Sequence, residues 1–247
     1  CAEWITVFIA LAIIFKKMEL AHPWHRFQLL KQRIFSRSRL WALFQVNSDI
    51  MIRTLALITG FAWFAKQGAN FGDQVLAANH ILLQFVTLSA FFLDGFANVA
   101  EMRAGHAYGA RHKQRFQAEV RYSTHLAAGS ALILSLCIFM FGQYIIPWFS
   151  QDTTVQNLAL HYLPYAALYI LLSFGAFQVD GIVIGVTQSR PMLNATLFAL
   201  ITLIALGTWW SQAFNNAGLW AALVLYIVMR AIALGAYYPH LLRHFQT

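Results

Sequence analysis

Charge is scarce in this sequence. Asp, Glu, Lys and Arg make up 11% of its 247 residues, and apolar residues make up 60%. A soluble domain carries about 25% charged and about 45–50% apolar residues, so an ordinary soluble fold is excluded. Cysteine is nearly absent as well. Cys1 and Cys137 are too few for a disulfide framework, and Cys137 sits in an apolar run where packing is its expected role. Low-complexity segments are lacking. The nine histidines show no metal-ligand spacing, so no metal site is expected, and His112, His240 and His244 read as solvated. The opening apolar run has neither a basic n-region nor a small-residue cleavage site, which excludes a signal peptide. Residues 1–15 instead read as the truncated end of a transmembrane helix, in a chain whose N-terminal part is missing.

Long apolar runs are what the sequence has. A bilayer core needs about 20 apolar residues per helix. Six segments meet this: about 41–64, 77–100, 121–149, 157–187, 192–213 and 218–239. Breakers separate them at Gly68 and Gly72, Gly105 and Gly109, Asp152, Pro191, and Asn215-Asn216. Asp152 is suited to cap the helix that follows it. The expected fold is all-α and membrane-integral: a six-helix lobe over 41–247, preceded by a basic cytoplasmic linker over 16–40 and the helix end over 1–15. The linker mixes Trp24, Phe27 and Phe35 with basic residues, a pattern suited to lying on a membrane surface.

The basic residues assign sides. Net charge is +8, which raises nucleic acid as a partner, but a nucleic-acid protein needs a continuous basic face. Here Lys and Arg cluster in 16–40 and 101–121, with Arg190 and Arg243, and all four places fall on one side if the helices alternate. That side is the cytoplasmic one, and nucleic acid is excluded as a partner. Trp4, Trp63, Trp148, Trp209, Trp210 and Trp220 fall at outer helix ends, and Trp41 and Tyr237-Tyr238 at inner ends, as interfacial aromatics do. The expected partner is the lipid bilayer.

Five ionisable residues lie inside these helices: Asp49, Arg53, Asp94, Asp180 and Arg230. Each costs roughly 2.5–3.5 kcal/mol to insert. At about 1.5 Å per residue they lie roughly 10–18 Å from the inner ends, in one layer contributed by four helices. Asp49 and Arg53 are spaced to pair along one helix, and Arg230 needs Asp94 or Asp180. Three acids against two bases leave one carboxylate without a fixed cation, either protonated or holding a mobile cation, as proton or cation coupling requires. Asp180, Asp94 and Asp49 are the coupling candidates, with Arg53 and Arg230 as their charge partners. A neutral, hydrogen-bonded aspartate without a transport role is the alternative. Phe92-Leu93-Asp94-Gly95-Phe96 and Gln178-Val179-Asp180-Gly181-Ile182 echo one another, each Asp-Gly pair about eight residues before an inward end. The other polar helix residues, among them Asn47, Asn79, His80, Gln84, Gln178 and Asn194, read as interhelical glue ahead of a pathway lining.

Asn47-Ser48-Asp49-Ile50-Met51-Ile52-Arg53, Ala77-Ala78-Asn79-His80-Ile81, Leu93-Asp94-Gly95-Phe96-Ala97, Glu101, Gly105-His106-Ala107-Tyr108-Gly109-Ala110-Arg111 and Asp180-Gly181-Ile182-Val183-Ile184-Gly185-Val186-Thr187 together resemble the second half of a multidrug and toxic compound extrusion (MATE) transporter of the DinF-like bacterial branch. The resemblance covers nearly the whole chain. His80 and His106 depart from it, standing where the family usually has Gln. It implies half of a twelve-helix fold, with a missing N-terminal lobe of the same polypeptide as partner. It also implies a bacterial inner membrane location and a small-molecule substrate. Asp180 matches an acid of the tenth helix that joins a cation site in some branches, whereas the proton-linked acid of the DinF-like branch lies on the absent first helix.

The function this implies is proton- or sodium-coupled antiport exporting drugs or lipophilic organic cations, with no cofactor beyond the coupling ion and no enzymatic activity. A lipid-linked oligosaccharide flippase of the same superfamily is the alternative; it calls for a more cationic cavity, to which Arg53 and Arg230 would contribute. An intramembrane aspartyl enzyme built on Asp94 and Asp180 lacks the Gly-x-Gly-Asp context, and a receptor-like seven-helix bundle does not suit the truncated first helix.

Overall fold

The computed structural model describes Thr6, Ile9, residues 37–243 and Phe245. The expected helix end over 1–15 and most of the linker over 16–40 lie outside these described residues. Two units divide the chain, Cys1–Gln45 and Val46–Thr247. In the first, Trp41 and Phe44 stack with their ring centroids 5.8 Å apart. The second holds the lobe.

Among the described residues every regular element is helical: α1 (Arg37–Ala69), α2 (Asp73–Gly109), α3 (Lys113–Ile145), a 3-10 turn (Ile146–Trp148), α4 (Thr153–Gly185), α5 (Ser189–Gly235) and α6 (Tyr238–Arg243). Their composition explains this. The five long helices are apolar enough to cross a membrane, and a helix satisfies its own backbone where no water is available to do so. Ser and Thr side chains follow the same logic. Thr59, Thr87, Thr202 and Thr208 each bond the carbonyl four residues back, so none of these four hydroxyls is left without an acceptor.

Helix α5 is 47 residues long, about 70 Å at 1.5 Å per residue and more than twice the bilayer core. It resolves into two limbs at Asn215, whose φ of 52° and ψ of −137° are not helical. The limbs fold back on each other, since a Cβ at Gly207 would stand 3.4 Å from that of Ala222. The two segments expected over 192–213 and 218–239 are these limbs, so the lobe makes six passes. Asp152 caps α4 by accepting a bond of 2.8 Å from the Thr154 amide.

Three expectations need correcting. Gly105 is no breaker: α2 runs on through it to Gly109. A Cβ there would stand 2.6 Å from the carbonyl oxygen of Gly185, and one at Gly181 or Gly185 would overlap the carbonyl oxygen of Ala97 or Glu101. Helices α2 and α4 thus touch backbone to backbone, through a Gly181-x-x-x-Gly185 pair of the kind that lets membrane helices approach closely. Cys137 does not pack inside the lobe; it is exposed on α3. Trp220 is not interfacial: it is fully buried, with its ring edge-on to Phe64 at 5.1 Å. Trp148 and Trp209 do face outward.

Candidate functional site

The charged layer assembles where α1, α4 and the second limb of α5 meet. Arg53 and Arg230 each direct Nη2 to the same oxygen, Oδ2 of Asp180. Asp180 and Arg230 are both 4% exposed. Buried charges need such partners, because desolvation penalises each one singly. The cluster is only partly satisfied: Oδ1 of Asp180 and the Nε of both arginines are buried without a hydrogen-bond partner. Phe177 supports Arg230 from one turn before Asp180, with the guanidinium carbon 5.9 Å from its ring centroid, within cation–π range.

A cavity of about 320 Å³ lies against this cluster. Arg53, Asp94, Arg230, Tyr169, Ser173 and Thr87 are its polar lining, and Leu57, Phe61, Val86, Ala90 and Phe177 its apolar lining. Asp180 is not in the lining; the two arginines stand between it and the cavity. Asp94 is in the lining. It is exposed, and among the described residues it joins no hydrogen bond or direct ion pair.

Asp49 stands apart. Its Oδ2 accepts a bond of 2.7 Å from the Ser189 hydroxyl, and Arg53 turns to Asp180. The spacing of Asp49 and Arg53 on one helix therefore misleads: each finds its partner on another helix, Asp49 at Ser189 and Arg53 at Asp180. The two Asp-Gly pairs are not equivalent either. Gly181 lies under the α2 backbone, whereas a Cβ at Gly95 would meet nothing within 4 Å.

The remaining polar residues have separate roles. Asn79 and Asn216 exchange two bonds of 2.7 and 2.9 Å, and the Trp220 indole donates to Asn79 at 2.8 Å. Gln178 donates to Ser123. His80 and Gln84 meet at 3.3 Å on the exposed face of α2. Asn194 lines a separate cleft with Arg190 and Tyr237. No metal-binding group of His, Cys, Asp or Glu occurs among the described residues. The cavity residues Tyr169, Ser173 and Thr87 and the Asp49 partner Ser189 carry no sequence signal. Phe177 does, being three residues before Asp180 on one helix face.

Six membrane passes, four of which line a charged, half-apolar cavity, define a lobe of a multi-pass membrane protein. The family profile described as MatE matches residues 52–209, and the chain belongs to the MatE family. It is similar to DNA damage-inducible protein F of Escherichia coli, at 30% identity over 239 residues, 95% of this chain and 50% of that protein. It is also similar to a probable multidrug resistance protein NorM of Photorhabdus laumondii, at 24% identity over 210 residues, 78% of this chain and 46% of that protein. Its fold matches the crystal structure of a mutant of the Vibrio cholerae MATE transporter VcmN with a TM-score of 0.84 at 14% identity, over 98% of this chain and 55% of that one. The chain spans about half the length of the curated relatives it matches.

Proposed function

We propose that the chain is the C-terminal lobe of a proton- or sodium-coupled antiporter in a bacterial inner membrane. The antiporter exports drugs or lipophilic organic metabolites, and Asp94 is its coupling acid in this lobe. One observation carries the choice of Asp94: of the three intramembrane aspartates, it alone lines the cavity with no fixed partner. Asp180 is occupied by two guanidiniums and Asp49 by Ser189. An acid that takes and releases a cation must reach the solvent-filled pathway, and a carboxylate locked between two cations serves as a structural anchor. Family membership and a multidrug resistance relative support export as the activity. A second lobe supplies the opposing wall, since alternating access moves one repeat against the other.

The test is efflux of a lipophilic cationic dye from proteoliposomes of the complete polypeptide, under a proton gradient and then a sodium gradient. Efflux under one gradient names the ion. Absence of efflux under both turns the reading to lipid-linked oligosaccharide flipping, for which the two arginines on the cavity wall are the favouring observation.

A further inference from the structure

We propose that this cavity is an oxyanion subsite: it takes the carboxylate or phosphate of an amphipathic substrate against Arg53 and Arg230. The proposal rests on the reading of the cavity as a transport site and refines its substrate class.

The charge arrangement carries it. Two guanidiniums share one carboxylate oxygen of Asp180, so the buried cluster holds one positive charge in excess. Both arginines face the cavity, and both keep a buried Nε–H without an acceptor. Arg230 is 96% buried by its exposure of 4%, too deep for water to satisfy it cheaply. An uncompensated cation in low dielectric attracts an anion strongly. Two guanidinium planes with free donors suit the paired oxygens of a carboxylate or phosphate. The Tyr169 hydroxyl stands on the same lining, where those of Thr87 and Ser173 already donate to backbone carbonyls, and Phe61 and Phe177 offer apolar surface for the rest of the molecule.

Asp94 shares the cavity and is the built-in competitor. Ionised, it supplies the negative charge that the arginines lack, and so competes with the substrate oxyanion for the same two guanidiniums. An exchange of occupants follows, with no covalent step.

The test uses the complete polypeptide in detergent and two dyes that differ in one group: rhodamine B, with a free carboxylate, and its ethyl ester. Binding is read by fluorescence anisotropy, so it does not depend on transport. The free acid is expected to bind about tenfold more tightly than the ester, the worth of one charge-assisted bond. Arg53→Gln, which leaves Arg230 on Asp180, is expected to abolish the preference, and Arg53→Lys to restore part of it. Asp94→Asn is expected to tighten binding of the free acid. Equal binding of acid and ester, or a preference that survives Arg53→Gln, overturns the proposal. Short-chain phosphatidylglycerol and glycerol phosphate then serve as competitors at saturating concentration. Displacement by the lipid alone identifies a headgroup as the natural source, displacement by glycerol phosphate a soluble one, and displacement by neither overturns the oxyanion site. A protein that discriminates between the dyes yet moves neither keeps the subsite and loses the transport reading; one that transports without discriminating does the reverse.

Discussion

The Nη2 of Arg230 donates to Oδ2 of Asp180, a residue 50 positions earlier. This bond ties the second limb of α5 to α4 in the middle of the lobe. Arg53 brings α1 to the same oxygen, so one carboxylate fastens three helices.

Removing that carboxylate strands two cations. Asp180→Asn is expected to destabilise the lobe by about 3–5 kcal/mol, as loss of one partner of a buried pair does. Arg53→Gln is expected to cost less than half as much, because Arg230 remains on Asp180. Thermal melts of the purified protein in detergent check both, and an unchanged melting temperature for Asp180→Asn would contradict the anchoring role.

The contact between α2 and α4 makes a paired prediction. Gly181→Ala drives a methyl into the carbonyl of Ala97 and is expected to cost about 1–3 kcal/mol or more by overpacking. Gly95→Ala, one helix away in the matching Asp-Gly pair, meets open space. It is expected to be neutral or to stabilise by up to about 1 kcal/mol through helix propensity. The same melts separate them, and equal effects would sink the close-crossing account.

At the other end of the lobe, Asn79 is held by Asn216 and Trp220. Asn79→Leu leaves both partners buried without it and is expected to cost about 2–6 kcal/mol, about one to three for each stranded partner. It should also change the emission of Trp220, because the indole loses its acceptor. A melt and an emission spectrum together test this, and stability equal to wild type would show the cluster to be dispensable.

The membrane lobe was legible because its signal is local: runs of about 20 apolar residues, punctuated by Asp152 and Asn215-Asn216, determine the passes without knowledge of any partner. The charged layer was legible by depth, since depth follows from counting along a helix. Pairing was not. Asp49 and Arg53 are neighbours on one helix, but rotation of α1 against α4 and α5 gives them different partners, Ser189 and Asp180. Such rotations depend on where helices touch, and a contact such as the Gly181-Gly185 crossing of α4 with α2 is displayed in the sequence only as two more small residues. Trp220 misled for a related reason: its position at a helix end matches an interfacial ring, but Asn79 on another helix supplies the acceptor that buries it.

The most direct test of the central claim compares two assays on Asp94→Asn in proteoliposomes of the complete polypeptide. One is dye efflux driven by the coupling gradient; the other is counterflow, the exchange of dye for dye with no gradient. Asp94 as coupling acid predicts that gradient-driven efflux is lost while counterflow persists, because the pathway is intact and only its link to the ion is cut. Gradient-driven efflux at the wild-type rate in Asp94→Asn would contradict the account and move coupling away from this cavity.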